Sequence, residues 1–352
     1  MKKIRVLIAD DSVLVRNLIR AIIEIDPEME VAGEASNGFE AVEKARNLRP
    51  DIVTMDIEMP VMDGLQAIEQ IMAENALPIL VVTSRGDAKT AYAAISKGAL
   101  DLVLKPDLNV EAAQEFAIKL KLLSKVSVIS HISGRLGRRP SAPPEMPVSS
   151  EIFSDQIIAI ASSTGGPDAL SIILSRLPET FPLPIVIAQH ISDGFVSGMV
   201  GWLRTLSRIE IKVAMNGEYL RPGTAYVCPS EHHMQVNRSK RIIFVERHAK
   251  DIYRPSCDVL LSSVAESFGK KAIGVILTGM GNDGVAGIIR IREAGGWTIA
   301  QDEKTSVIFG MPKLAIERGG IDTVLPLEAI SGEIVRATSL TGTSTAWTGQ
   351  CS

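Results

Sequence analysis

The sequence predicts an α/β protein in two parts: an N-terminal doubly wound domain on a five-stranded parallel sheet, and a C-terminal α/β domain whose sheet is mostly parallel. Three observations predict it. Short apolar runs alternate with longer segments whose apolar residues recur at helical spacing, over residues 4–124 and again from residue 155. At 352 residues, the chain exceeds the usual span of one hydrophobic core. Between the two halves the order dissolves into "SKVSVISHISGRLGRRPSAPPEMPVSSEIFSD", rich in Ser, Pro, Gly and Arg, which reads as a linker over residues 125–154.

In the first half, residues 1–124, the strand-like runs are "IRVLIA", "MEVAGEA", "DIVTMD", "PILVVTS" and "DLVLKP". Each is followed by a helical pattern; in "SVLVRNLIRAII", Val15, Leu18, Ile19 and Ile22 share one face. Repeated strand–helix units imply a parallel sheet covered on both faces. The second half, residues 155–340, opens with "DQIIAIA" and continues with strand-like "LPIVIAQ", "AYVC", "RIIFVE", "AIGVILTG" and "GWTIAQ", interleaved with helical "PDALSIILSRL" and "DGVAGIIRIREAG". Residues 341–352 are Thr/Ser/Gly-rich and read as a fraying tail.

Composition narrows the class. Apolar residues make up 46% and charged residues 22%, ordinary for a globular protein. A formal charge of −4 gives no electrostatic case for a nucleic-acid partner. Cys228, Cys257 and Cys351 lie far apart without a CxxC, which fits a reduced, cytoplasmic setting. The basic start "MKKIRVLIADDS" is interrupted by Asp10 and Asp11, against a secretory signal, and no apolar run is long enough for direct membrane insertion.

Chemistry gathers at strand ends. Asp10 and Asp11 end the first predicted strand and Asp56 ends the third, so in a doubly wound sheet they share one edge. Three carboxylates there call for a cation, and hard oxygen ligands suit Mg²⁺. Thr83 closes the fourth strand and Lys105 follows the fifth. Such a set can form an aspartyl phosphate, with Lys105 and Mg²⁺ neutralising phosphoryl oxygens and Thr83 donating to one of them. Taken singly, Asp10 and Asp11 fit a helix cap and Asp56 a turn; together, on matching strand ends, they fit the phosphoryl site better.

These motifs, "IADDS", "DIVTMDIEMPVMDG", "VVTS" and "LVLKP", resemble the receiver domain of two-component response regulators over about residues 1–124. The resemblance implies Asp56 as phosphate acceptor, Asp10, Asp11 and Asp56 as the Mg²⁺ ligands, Thr83 and Lys105 as readers of the phosphoryl group, and a histidine kinase as phosphodonor. One departure stands out. Many receivers carry an aromatic three residues before the lysine, where this chain has Leu102.

In the second half, "IAIASSTGG" runs from a strand into a glycine-rich turn and then a helix. It matches neither phosphate-binding glycine pattern and is not GxSxG, so alone Ser163 reads as a helix cap. Its company changes the reading. His190 ends "LPIVIAQH" and Asp283 lies in "LTGMGNDG" after another strand, so serine, histidine and acid can converge at one sheet edge. The rivals are weaker: His190 as a packed histidine, Asp283 as the cap of the next helix, and His232 and His233 in a turn before a hairpin. His131 and His248 read as solvated, and Cys228 and Cys257 lack the exposing turn.

With "AQH", "RPSCDVLL", "VILTGMGNDG" and "IAQDEKTSVIFGMPKLAIERG", the chain resembles, over almost its whole length, the chemotaxis-specific protein-glutamate methylesterases of the CheB family. The resemblance implies a phosphorylation-regulated hydrolase of glutamyl methyl esters on chemoreceptors that also deamidates glutamines, with Ser163 as nucleophile, His190 as base and then acid, and Asp283 orienting it. It implies backbone oxyanion donors at Thr164 and Met280, no cofactor for hydrolysis, and a receiver that covers the site at rest. Ser162, where alanine is common, and "ISDGF" after His190, where a proline pair is common, depart from the pattern.

Overall fold

The structure, a computed structural model, describes residues 2–84, 88–106, 109–126, 128, 155–248, 251 and 253–340. The linker expected over 125–154 lies outside the described residues except at 125, 126 and 128, as does the tail expected over 341–352. His131 falls in the same gap.

The first half builds a parallel sheet ordered β2-β1-β3-β4-β5 from β1 (Ile4–Ala9), β2 (Met29–Ala35), β3 (Ile52–Met55), β4 (Ile79–Thr83) and β5 (Asp101–Leu104). The helices are α1 (Val13–Ile25), α2 (Gly38–Leu48), α3 (Gly64–Asn75), α4 (Ala88–Ser96) and α5 (Val110–Leu123). Strand alternation sorts them onto two faces. Val6, Ile8 and Val82 pack with Ile19 and Ile22 of α1 and with Phe116 and Leu120 of α5. Leu7, Ala9, Val53 and Val81 pack with Val42 of α2 and with Ile68 and Ile71 of α3. Both faces are buried, so the strands read as continuous apolar runs, and each large side chain contributes about 1.5–3 kcal/mol.

The second half forms a seven-stranded, wholly parallel sheet ordered β14-β13-β12-β6-β7-β9-β8. Its strands are β6 (Ile157–Ser162), β7 (Ile185–Gln189), β8 (Glu210–Val213), β9 (Thr224–Val227), β12 (Ala272–Ile276), β13 (Trp297–Gln301) and β14 (Thr323–Leu325), while β10 (His232–Val236) and β11 (Ile242–Glu246) pair apart as an antiparallel hairpin. The helices are α6 (Gly166–Ser175), α7 (Val196–Leu206), α8 (Cys257–Phe268), α9 (Val285–Glu293), α10 (Met311–Glu317) and α11 (Leu327–Leu340). Ile158 and Ile160 face Leu170 and Ile173 of α6, and Ala159 and Ala161 face Leu260 of α8 and Ile288 of α9.

Sequence periodicity did not announce β8, β10 or β14. The edge strands β8 and β14 carry Glu210, Lys212 and Thr323, so they have no apolar run to read. His232 and His233 do not sit in the turn expected before the hairpin. They open its first strand, and His233 is buried.

The halves meet through α4 and α7. Tyr92 is fully buried and stacks on Trp202 with centroids 5.8 Å apart and planes at 19°, and its hydroxyl has no hydrogen-bond partner. A second contact lies at the end of α5. Leu122, Lys125 and Val126 face Met280, Gly281 and residues 307–310 across a cleft of about 380 Å³. Val307 and Ile308 pack against the cluster that holds Phe116 and Leu120.

Candidate functional site

Near the centre of each sheet the strand order reverses, between β1 and β3 and between β6 and β12, and a crevice opens at the carboxyl ends there. Both candidate sites lie at these points.

At the first, Asp10, Asp11 and Asp56 each bring a carboxylate oxygen within 4.8 Å of the others. Asp10 and Asp56 are buried and Asp11 is exposed. Neither Asp10 nor Asp11 caps α1; Ser12 does, its own N–H donating to Asp10 Oδ1 at 2.9 Å. Lys105 Nζ donates to Asp56 Oδ2 at 2.8 Å and lies 2.9 Å from Asp10 Oδ2. One ammonium is thus shared between two buried carboxylates. Thr83 is fully buried at the end of β4, and its carbonyl accepts the Lys105 N–H at 2.9 Å.

Burial pushes the Asp56 carboxyl up to about 6, the neighbouring Asp10 charge adds to the rise, and Lys105 and the Ile57 amide offset only part of it. Burial also works against the charge of Lys105, but its two carboxylates outweigh that and raise its pKa. Three clustered carboxylates share the single Lys105 ammonium, and one of them resists ionisation, so the pocket is short of positive charge. Its all-oxygen donor set fits a hard divalent ion. Leu102 is buried, so no aromatic side chain stands at that position; the nearby aromatic in the domain contact is Tyr92.

At the second site, β6 delivers Ser163 and β7 delivers His190, whose N–H donates to Ser162 O at 2.9 Å. The Ser163 N–H donates to Thr278 O at 3.0 Å, so the serine turn is stitched to the strand end on its other side as well. Ser163 does not cap α6: that position is Gly165, with φ 75° and no side-chain cap bond. A Cβ at Gly165 would also lie 2.6 Å from Val307, so no other residue fits the turn. Gly279 is required for a different reason, since its Cβ would meet Ser163 Cβ at 2.6 Å.

His190 Nε2 donates to Asp283 Oδ2 at 2.7 Å. That leaves Nδ1 as the ring nitrogen able to take a proton from serine. The Ser163 hydroxyl makes no hydrogen bond among the described residues. Asp283 does not cap α9, whose cap is Gly284. It sits instead at the N-terminus of α8, where its Oδ2 accepts the Cys257 N–H at 2.5 Å and its Oδ1 accepts the Ser256 hydroxyl at 2.9 Å and the Asp258 N–H at 3.0 Å. Burial would raise its pKa, but the hydrogen bond and charge of His190 together with those amides lower it. Tyr253 stacks on the His190 ring, centroids 5.0 Å apart, and its hydroxyl donates to Asn282.

Gln189 is a site residue that sequence reasoning missed. Its amide Nε2 donates to both Ser163 O and His190 O at 2.8 Å, and the Ser162 hydroxyl donates to its Oε1 at 2.6 Å. Ser162 therefore fixes the orientation of the amide that ties nucleophile to base. The "ISDGF" loop is pinned by Asp193 to Arg247 at 2.8 Å. Among the described residues, the N–H groups of Thr164 and Met280 have no hydrogen-bond acceptor, and Met280 is 40% exposed. Burial drives the thiols of Cys228 and Cys257 well up in pKa, which removes them as rival nucleophiles.

The CheB methylesterase family model matches residues 158–334, and the response regulator receiver domain model matches residues 6–113. A relative from Paramagnetospirillum magneticum named protein-glutamate methylesterase/protein-glutamine glutaminase 3 is 47% identical over 342 residues, covering 96% of each chain. One of the same enzyme name from Pyrococcus abyssi is 39% identical, covering 96% of this chain and 95% of its own. Among solved structures, the Thermotoga maritima CheB methylesterase catalytic domain aligns with TM-score 0.50 at 39% identity, covering 52% of this chain and 98% of its own.

Proposed function

The chain belongs to the CheB methylesterase family and carries a response-regulator receiver domain, and from that premise we propose that it is a protein-glutamate methylesterase and protein-glutamine glutaminase working through Ser163, His190 and Asp283. The observation that carries the reading is the Asp283–His190 pair, anchored on the α8 N-terminus beside the serine turn.

Ser163 Oγ attacks the carbonyl carbon of a glutamyl methyl ester while His190 Nδ1 takes its proton. The oxyanion is met by the free N–H groups of Thr164 and Met280. The tetrahedral intermediate collapses, His190 returns the proton to the leaving methoxide, and methanol departs from the acyl-enzyme. A water molecule gives a proton to His190 and its oxygen to the acyl carbon, releasing glutamate and restoring serine. For glutamine the leaving group is ammonia. Asp283, held ionised by four hydrogen bonds, keeps Nε2 as the protonated nitrogen throughout.

In the receiver, an Asp56 carboxylate oxygen attacks the phosphorus of a histidine kinase's phosphohistidine, the P–N bond breaks and the imidazole leaves with the kinase, while Lys105 and Thr83 contact the transferred oxygens. Asp10, Asp11 and Asp56 would hold Mg²⁺, which would supply the positive charge that pocket lacks. The substrates are methyl-accepting chemoreceptors, met in the cytoplasm; among the described residues no helix is long and apolar enough to cross a membrane. At rest the receiver hinders approach to the Met280 side of the site, and phosphorylation weakens the α4–α7 contact.

Methanol release from methylated receptor fragments tests both halves. Wild type releases methanol and responds to a small phosphodonor, Ser163→Ala releases none, and Asp56→Asn keeps basal release but loses the response. An active Ser163→Ala overturns the nucleophile assignment.

A further inference from the structure

Behind the triad runs a second histidine–carboxylate pair. His233, on β10 and 5% exposed, donates from Nε2 to Asp251 Oδ2 at 2.9 Å, and Asp251 Oδ2 also accepts the His248 N–H at 2.7 Å. The other ring nitrogen, Nδ1, accepts the N–H of Ser256 at 2.9 Å. Ser256 is the N-cap of α8, its Oγ accepting the Val259 N–H at 3.3 Å and donating its single proton to Asp283 Oδ1. The connection is therefore continuous from Asp251 through His233, Ser256 and Asp283 to His190.

We infer that His233 is a positioning residue for the esterase, acting through Ser256 to aim the Asp283 carboxylate at His190. The Ser256 N–H is one of the orphan donors at a helix start, and the buried His233 ring supplies its acceptor. The two bonds of the ring fix its tautomer: Nε2 carries the proton because Asp251 accepts it, and Nδ1 stays bare because an N–H faces it. A neutral acceptor there satisfies Ser256 without adding a third negative charge beside Asp283 and Asp258. With the Ser256 backbone held, its hydroxyl and the next two amides stay directed at the carboxylate. If the N-cap shifts, three of the four donors to Asp283 shift together.

This rests on the methylesterase reading, so the test includes a measurement independent of turnover. Asparagine places an acceptor oxygen on Cγ where His233 has Nδ1, whereas glutamine reaches only the Nε2 position and leucine offers no acceptor. The full-length His233→Asn, His233→Gln and His233→Leu variants are compared in methanol release from methylated receptor fragments and in the low-field proton NMR signal of the His190 N–H bonded to Asp283. His233→Asn is expected to keep kcat within about threefold of wild type, while Gln and Leu lower it about tenfold with KM unchanged, the loss expected when a part-buried N–H is left without an acceptor. The low-field signal stays in the Asn variant and shifts or broadens in the other two. If Gln matches or exceeds Asn in kcat and in the signal, or if folded His233→Leu behaves as wild type in both, the inference is overturned. A wild type with the low-field signal and no methanol release would refute the esterase reading while leaving the positioning role open to the same NMR comparison.

Discussion

Replacing Asp56 by Asn is expected to stabilise the N-terminal domain at neutral pH in metal-free buffer. Burial is the main force pushing the carboxyl up to about 6 in the fold, against an ordinary value of about 3.8. Its protonated form is therefore favoured by folding. That stabilisation is complete below pH 3.8 and is lost as pH rises through 6, after which the ionised group costs about 3 kcal/mol. Asparagine has the shape of the protonated acid and carries no charge, so the variant keeps at pH 7 what wild type has only in acid. Urea unfolding of both proteins at pH 7 and pH 4, with chelator present, measures the difference. The gap should be about 3 kcal/mol at the higher pH and close to zero at the lower. Magnesium should narrow it at pH 7 by binding the folded wild type. A variant no more stable than wild type at pH 7, or a gap that ignores pH, would refute the claim that Asp56 is held against its solvation.

Two other outcomes follow from the geometry. Asp283→Asn should lower kcat by about 10³–10⁴ with KM little changed, because Nε2 loses the acceptor that keeps it protonated; steady-state kinetics on methylated fragments reads this directly. Trp202→Ala should raise methanol release in the absence of phosphodonor by up to about 100-fold, also in an Asp56→Asn background, since the stacked partner of Tyr92 is gone; unchanged basal release would remove α4 and α7 from the regulatory contact.

What the sequence revealed, and what it concealed, divides along a physical line. Asp10, Asp56, Thr83, Lys105, Ser163 and His190 all stand at or one residue beyond an apolar run, and a parallel sheet brings such ends to one edge. Periodicity therefore put them at strand ends, and their combination, not any one of them, suggested their roles. Asp283 needed more, because its partner helix is not the one that follows it but α8, which precedes it in the chain. Ser256 and Tyr253 precede α8 in an irregular stretch with no periodic signal, and Gln189 hid inside a run as its single polar residue. A polar side chain ending a buried strand was the available clue for Gln189, since such a group must find partners. The edge strands β8 and β14 were hidden for the opposite reason: only one face of each needs apolar residues, and three or four residues are too few to show alternation.

The Tyr92–Trp202 stack has a consequence for signal range. If the covered form holds by little more than the burial of this pair, about 3 kcal/mol separates it from the uncovered form, a ratio of roughly 150 to one. An unphosphorylated population then always contains a small uncovered fraction, so receptor methylation is trimmed at a low background rate even in silence. The same ratio caps the gain: no input to Asp56 can multiply output by more than about 150-fold. An unpartnered phenol buried in that stack lowers the ceiling further, favouring a shallow, graded dial over a sharp trigger.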